Sequence, residues 1–297
     1  MHNTIFLSDS YFAELPVRKP KVPRDRFVKY YQDLYALHEM PLSSETFLSG
    51  SQYSYAELGN KVLEKYAETK QLKNIDLLHI VTWAHEFDPD YASAGTYLVD
   101  KFKLKCLVYD IGDQGTLSFF TSVDLVKKYL YSSQLKNALI LVMEQTCIPR
   151  DKSSNVLPPL NDFAFGLIVS NDIEEKNKPH IYQIISSGVL TNTNNKSLKQ
   201  ISAEIIKNKV DLNENISLIC KKPGMIQQKY ETDKSLMPKI QLKTILDHPG
   251  NYTFFTYLRD LLEKYDETEN VLMVDEDVET MDIGYLLLRR NSHASCM

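Results

Sequence analysis

Glycine is scarce in this sequence, with 10 glycines among 297 residues. The GxGxxG fingerprint of dinucleotide-binding proteins does not occur, and neither does the GxxxxGKS or GxxxxGKT phosphate loop. Both motifs need glycine so that the backbone can approach a phosphate group closely. Their absence argues against a nucleotide-binding enzyme.

Long apolar runs are also missing. No stretch reaches the roughly 18–20 apolar residues that a transmembrane helix needs, and the N-terminus has no basic segment ahead of an apolar core. The seven histidines are scattered without metal-ligand spacing. The four cysteines form no CxxC pair: Cys106, Cys147, Cys220 and Cys296. We therefore expect a cytoplasmic protein with reduced thiols, no membrane contact, no metal and no cofactor.

Strong positive charge is absent, since the net charge is −5. Lysine and arginine cluster only in the segment from Arg18 to Arg26, which follows Pro16 and which Pro20 and Pro23 interrupt. No basic patch is interleaved with aromatic residues, as nucleic-acid-binding surfaces require. We interpret the basic segment as a solvated loop and expect no nucleic acid as a partner.

The pattern of apolar residues predicts alternating strands and helices, which indicates an α/β fold with buried, largely parallel strands. Residues 137–144 read as a central strand, and residues 167–170 and 181–187 as a hairpin. A similar order of elements in the two parts of the chain suggests two fused halves. We place them at residues 1–175 and 176–290, followed by a polar tail at 291–297.

The segment from Tyr109 to Phe120 predicts a strand, a tight turn and a helix. Enzymes often place a cysteine nucleophile at such a junction, because a helix N-terminus stabilises a thiolate. This turn carries Asp113, Gln114 and Gly115 instead. No cysteine stands at this junction.

Seven segments together resemble a known family in order and spacing: residues 75–82, 92–99, 108–118, 138–144, 160–166, 250–256 and 283–289. The family is that of the thiolase-fold condensing enzymes, of the β-ketoacyl-acyl-carrier-protein synthase III type. The resemblance extends over nearly the whole chain, although no single segment is specific. It implies a thiolase-like fold, in which two similar α/β halves form a layered α-β-α-β-α sandwich.

The departures from the family pattern concern its catalytic groups. The nucleophilic cysteine of the family falls on Gly115, and the region of its histidine holds Lys221. The asparagine remains as Asn251, which equally suits the cap of a helix beginning at Tyr252. A glycine-rich turn of the family is replaced by residues 275–282. With two of three groups lost, the resemblance implies that this chain alone does not catalyse condensation.

The resemblance implies a non-catalytic subunit of a heterodimeric ketosynthase, as in synthases of the alkylquinolone type. A cysteine-bearing partner would bind acyl carrier protein or acyl-coenzyme A, in fatty-acid, polyketide-like or secondary-metabolite biosynthesis. Tyr91 falls where the family places an aromatic residue that reaches across the dimer interface, or it packs internally. 

Three alternatives stay open. One is a stand-alone acyltransferase or esterase that uses Thr116 or Ser118, with His248 as a possible base. Another is a malonyl decarboxylase that uses Gln114. The third is a protein that binds an acyl chain without chemistry.

Overall fold

The computed structural model describes residues 4–37, 39, 50–86, 90, 93–112, 114–147, 159, 161–171, 181–191, 193, 196–206, 214–222, 224–233, 240–246, 252–263, 270–277 and 280–291. The strands are β1 (Phe6–Glu14), β2 (Leu77–Thr82), β3 (Leu107–Ile111), β4 (Asn137–Glu144), β5 (Phe163–Ser170), β6 (Tyr182–Leu190), β7 (Ile216–Lys222), β8 (Ile240–Leu246), β9 (Asn270–Glu276) and β10 (Ile283–Arg290). The helices are α1 (Asp25–Ala36), α2 (Tyr55–Glu68), α3 (Ala94–Phe102), α4 (Ser118–Ser132), α5 (Leu198–Ile206), α6 (Met225–Asp233) and α7 (Tyr252–Glu263). Short 3₁₀ turns occupy Gln71–Asn74 and Gly115–Leu117.

The strands form one hydrogen-bonded array of ten in the order β3-β2-β4-β5-β1-β6-β10-β9-β7-β8. The array divides at its centre, between β1 and β6, into two halves of five strands. From the centre outward, the strands of the two halves have the same order of connection and the same relative directions. In the first half β2 is parallel to β3 and β4, and β5 is antiparallel to β4 and β1. In the second half β7 is parallel to β8 and β9, and β10 is antiparallel to β9 and β6. The halves are therefore topological repeats of one another.

Two expectations about the strands are wrong. The array is mixed rather than largely parallel, because the strand that enters each half and the strand that ends it run antiparallel to their neighbours. The expected hairpin does not form either, since β1 lies between β5 and β6. β1 runs along β5 for its whole length and contacts β6 only at Phe6 and Leu7. Sequence proximity suggested the hairpin, but the long-range pairing of β1 decided the order.

Three apolar clusters show the layers. One outer layer is α2 and α3 on the first half, and the other is α5 and α6 on the second half. Between the halves lies a central layer of α4 and α7, which packs on strands of both. The layers thus run α-β-α-β-α, as predicted. The boundary predicted after residue 175 falls outside the described residues, and so does all of the predicted tail except residue 291, so both stay predictions.

The central layer contains a repeat that the sequence analysis missed. Ser118-Phe119-Phe120-Thr121 begins α4, and Thr253-Phe254-Phe255-Thr256 stands at the equivalent place in α7. Their rings pack together across the layer, with ring centroids 4.9 to 6.0 Å apart in edge-to-face contacts. Such aromatic pairs stabilise a core beyond their buried area. The repeated Phe-Phe-Thr in the two central helices was the available signal that the halves correspond.

Helix α6 was also missed, because its sequence is mostly polar and its buried residues, Ile226 and Tyr230, form only a short apolar stripe. The structure supplies its stabilisation from another element. The carboxylate of Glu276, at the end of β9, accepts hydrogen bonds from the backbone N–H groups of Met225 (2.5 Å) and Ile226 (3.0 Å). A carboxylate at a helix N-terminus accepts hydrogen bonds from free N–H groups and interacts favourably with the positive end of the helix dipole. None of the described helices is both long enough and apolar enough to cross a membrane.

Candidate functional site

The candidate site is the turn between β3 and α4, at the edge where the parallel strands β2, β3 and β4 end. Gly115 lies in this turn with φ of +53°, in the left-handed region that glycine tolerates best. The side chain of Gln114 is exposed and accepts a hydrogen bond from the Thr121 hydroxyl at 2.8 Å. The sequence therefore places its turn correctly, and the backbone there has a conformation that disfavours side chains.

The space above Gly115 is already filled. A Cβ atom built on Gly115 would lie 2.9 Å from Nε1 of Trp83 and 3.8 Å from Oδ2 of Asp277. Trp83 follows β2 in the first half, whereas Asp277 follows β9 in the second. A Cβ–heavy-atom contact below 3.0 Å requires a neighbour to move. A cysteine at this position would thus meet an indole ring and a carboxylate before it met a substrate.

Lys221, expected near the position of the lost histidine, lies within β7 rather than in a loop after it. Its side chain is only 8% exposed, and its Nζ lies 2.9 Å from Oδ2 of the fully buried Asp275. The contact is an ion pair whose geometry is not that of a hydrogen bond. Breaking such a buried pair leaves an uncompensated charge, so the ammonium group is held by the fold.

Cys220, beside Lys221, does not replace the missing thiol. Burial raises the pKa of Cys220 to about 12, and the carboxylates of Glu276 and Asp275 act in the same direction. Because the thiolate is the nucleophilic form, this sulfur stays inert at neutral pH. Burial likewise raises the pKa of Cys106, and Cys147 is buried in the core. These thiols behave as the apolar side chains that the sequence suggests.

No protein-family model matches the sequence, and no curated protein sequence matches it. Solved structures do match the fold. AbyA1, a tetronic acid condensing enzyme, is 10% identical with a TM-score of 0.63, covering 96% of this chain and 100% of AbyA1. The acyltransferase ChlB3 is 12% identical with a TM-score of 0.63, covering 97% and 98% of the two chains. OleA of Xanthomonas campestris with bound cerulenin is 9% identical with a TM-score of 0.61, covering 97% and 99%.

The chain has a thiolase fold. Identities of 9% to 12% establish this architecture and leave the chemistry to the residues themselves. Because almost the whole length of each chain is covered, the site can be compared by its place in the fold. The turn at Gly115 opens the first central helix, α4, and the aspartate facing it comes from the second half.

The two substitute nucleophiles lie close together at this turn in different surroundings. Thr116 is half-buried, whereas Ser118 is buried and its Oγ has no hydrogen-bond partner among the residues that the structure describes. A serine or threonine nucleophile needs a base within hydrogen-bond reach. The imidazole that contacts α4 is that of His79, and it bonds Ser122, one turn further along. Asn251, Tyr91 and His248 lie outside the described residues.

His79 is a buried residue whose environment the sequence did not reveal. It lies within β2, and its Nδ1 is 2.5 Å from Oγ of Ser122. Burial lowers its pKa to about 4, although the carboxylate of Asp110 acts in the opposite direction. A neutral imidazole sealed between strand and helix has no substrate to reach. We therefore assign this pair to the packing of the central layer.

Proposed function

We propose that this chain is the non-catalytic subunit of a heterodimeric, thiolase-fold condensing enzyme of the ketosynthase III type. The observation that carries the proposal is the turn at Gly115, which has no thiol and where a Cβ atom would lie 2.9 Å from Nε1 of Trp83. The partner supplies the cysteine, accepts the acyl group from a carrier protein or coenzyme A, and performs the condensation. This chain stabilises the pair and shapes the acyl pocket of the partner.

The replacement of the second catalytic group supports the same proposal. The amine of Lys221 faces the carboxylate of Asp275 in a buried ion pair, rather than standing free beside a substrate. The acidic end of β9 also supplies the carboxylate of Asp277 to the turn. Negative charge there opposes a thiolate and a developing oxyanion, the species that a condensing enzyme must stabilise. The surroundings of the turn are thus unsuited to this chemistry, in addition to lacking the thiol.

The edge strand β3 is the surface that we assign to the partner. It pairs with β2 on one side, and no described strand covers its other side. Leu107 and Tyr109, on one face of this strand, are 48% and 41% exposed. An uncovered edge with apolar side chains is a template for another strand. A second thiolase-fold chain offers such a strand, with backbone groups that satisfy the free edge and apolar side chains that cover Leu107 and Tyr109.

Aromatic residues on α4 extend this surface. The ring of Tyr109 stacks on that of Tyr129, with centroids 5.3 Å apart, and Tyr131 is half exposed nearby in sequence. Tyrosine is enriched in protein interfaces because it combines apolar area with a hydroxyl group. These side chains would form the apolar centre of the contact with the partner.

The test is co-expression with a cysteine-bearing thiolase-fold synthase encoded by a neighbouring gene. We expect a one-to-one complex by size-exclusion chromatography with light scattering, and condensation activity that needs both chains. The double variant Leu107→Lys/Tyr109→Lys should abolish the complex. Its matched control is Leu37→Lys, at an exposed leucine after α1, which should leave the complex intact. Separate elution of the two wild-type chains would contradict the proposal.

The stand-alone acyltransferase gives a different result in a second measurement. The isolated chain is incubated with acyl-coenzyme A and its mass is measured. We expect no covalent adduct, because Ser118 is buried and no described base contacts it or Thr116. An adduct mapped to Thr116 or Ser118 would overturn the assignment of a non-catalytic subunit. Tight binding of free acyl chains by an isolated monomer would favour the acyl-binding alternative.

A further inference from the structure

Most of the large apolar side chains that are exposed in the described part of the chain gather in two places. Three of the ten belong to the surface that we assign to the partner: Leu107, Tyr109 and Tyr131. Five others fall within residues 17–37: Val17, Val22, Tyr30, Leu34 and Leu37. Val17 is 90% exposed and Val22 is 85% exposed. Exposed apolar residues need no explanation when they are scattered singly, but a group of them marks an interaction surface.

The same segment is the basic part of an acidic chain. Residues 18–29 include six bases and one acid, whereas the whole chain has a net charge of −5. Arg24 and Arg26 share a single aspartate. Lys19 and Lys21 are exposed and form no ion pair with any residue that the structure describes. Positive charge therefore remains in excess beside the two exposed valines.

The fold holds this segment in place from its inner side. The guanidinium group of Arg18 lies 3.8 Å from the ring centroid of Tyr53 and pairs with a glutamate of α2. The side-chain amide of Gln52 accepts a hydrogen bond from the backbone N–H of Lys21 at 2.7 Å and donates one to its carbonyl at 3.0 Å. The other side chains of residues 17–22 are all exposed. Because these contacts fix the backbone, the outer side chains are presented before any ligand arrives.

The mixture of residues in this segment favours a lipid surface over a protein partner. Protein interfaces have an apolar centre from which lysine is depleted. Here Lys19 and Lys21 stand between Val17 and Val22, and all four are exposed. Surfaces that bind anionic membranes combine apolar side chains, which enter the headgroup region, with bases that attract the lipid phosphates. The segment provides both kinds of side chain.

We propose that residues 17–22, together with the bases at residues 24–29, bind the surface of an anionic membrane. Val17 and Val22 enter the boundary between headgroups and acyl chains, and Lys19 and Lys21 interact with the lipid phosphates. Since the rest of the chain is acidic, an anionic membrane repels it and turns the basic segment toward the lipid.

This proposal departs from the sequence-based prediction of a solvated loop without membrane contact. That prediction rested on the lack of a long apolar run, and a contact at the membrane surface needs none. The proposal also goes beyond the proposed function, because it concerns a surface other than β3 and needs no partner chain. Each of the two proposals can therefore fail without the other.

The test is co-sedimentation of the whole chain with phospholipid vesicles at neutral pH. Vesicles of phosphatidylcholine mixed with phosphatidylglycerol are compared with vesicles of phosphatidylcholine alone. We expect saturable binding to the anionic vesicles only, and weaker binding as salt is raised, because salt screens exposed charges. Lys19→Gln/Lys21→Gln should weaken the affinity about tenfold or more. The matched control is Lys70→Gln/Lys73→Gln, at two exposed lysines beyond the C-terminal end of α2, which should bind as the wild type does.

A second pair of variants tests the apolar part of the surface. Val17→Ser/Val22→Ser should weaken binding severalfold while the thermal unfolding temperature stays unchanged, because both side chains are exposed. Tyr97→Ser, at an exposed tyrosine of α3, should leave binding unchanged. Absence of binding to either vesicle, equal binding to both, or binding unaffected by the lysine and valine variants would each overturn the proposal. Binding of poly-glutamate that needs the two valines, without binding to vesicles, would assign the surface to an acidic protein and would also overturn it.

Discussion

The protonation of His79 provides a quantitative test of how α4, in the central layer, packs on β2. The imidazole is 2% exposed and its Nδ1 contacts Oγ of Ser122 on α4. Burial lowers its pKa from the ordinary value of 6.5 to about 4, against a smaller opposing effect of Asp110. The folded protein therefore holds His79 neutral throughout the range in which an exposed histidine becomes charged.

The sign of the effect follows from proton binding. Between pH 6.5 and pH 4 the unfolded chain binds a proton at His79 that the folded chain refuses. The free energy of unfolding should thus fall as the pH falls through this window, and the contribution of His79 is fully present above it. A depression of the pKa from 6.5 to about 4 corresponds to about 3 kcal/mol over the whole window. From pH 7.5 to pH 5 the expected loss is about 2 kcal/mol.

The assay is urea unfolding at both pH values, with the wild type compared with His79→Gln. His79→Gln lowers stability at neutral pH, but its change between the two pH values should be about 2 kcal/mol smaller than that of the wild type. His85→Gln, at an exposed histidine, should keep the wild-type dependence. Ser122→Ala should lower the free energy of unfolding at both pH values, because a hydrogen bond is lost. It should leave the pH dependence of that free energy unchanged, because the histidine stays buried.

One result would refute this reasoning. If His79→Gln showed the same pH dependence as the wild type, the imidazole would not be a neutral, buried group. The packing of α4 on β2 would then differ from that described. Loss of the dependence in His85→Gln instead would assign the effect to the exposed histidine.

Other substitutions test the site and the core by chemical or thermal unfolding. Gly115→Ala should destabilise the fold by about 1–2 kcal/mol through its left-handed backbone, and further through Trp83. Adding Trp83→Ala to this variant should remove only the part of the destabilisation that comes from the contact with the indole ring. If Gly115→Ala were as stable as the wild type, the close contact of this position with Trp83 would be contradicted. Lys221→Met should cost about 3–5 kcal/mol, whereas Lys221→Met/Asp275→Leu should recover most of it. Gly284→Ala should destabilise by about 1–3 kcal/mol, because its Cβ would lie 2.2 Å from a phenylalanine ring of α4.

Segments with a strong local pattern could be predicted from the sequence. Residues 137–144 were expected as a central strand and form β4 with those bounds, because an uninterrupted apolar run has few alternatives. The turn at Gly115 was also located correctly. By contrast, α6 has only a short apolar stripe, and its N-terminus is stabilised by Glu276, a residue about 50 positions away that no local pattern identifies.

The candidate site likewise has some features that the sequence predicts and others that only the folded chain reveals. The resemblance places the family's cysteine at Gly115, since that prediction needs only an alignment of residues along the chain. The contact of Trp83 and Asp277 with this position joins three distant segments, so only the folded chain reveals it. Likewise, the resemblance places Lys221 in the region of the family's histidine, but its burial against Asp275 required both strands in place.

The sequence by itself determined that the chain has an α/β fold, because hydrophobic periodicity is a local property, and its resemblance to a family added the layered arrangement. The tertiary structure decided the strand order around β1, the approach of Trp83 and Asp277 to Gly115, and the burial of Lys221 against Asp275. These properties depend on which distant side chains share one small volume. Burial and charge compensation are set by such neighbours, and the linear order of residues does not specify them.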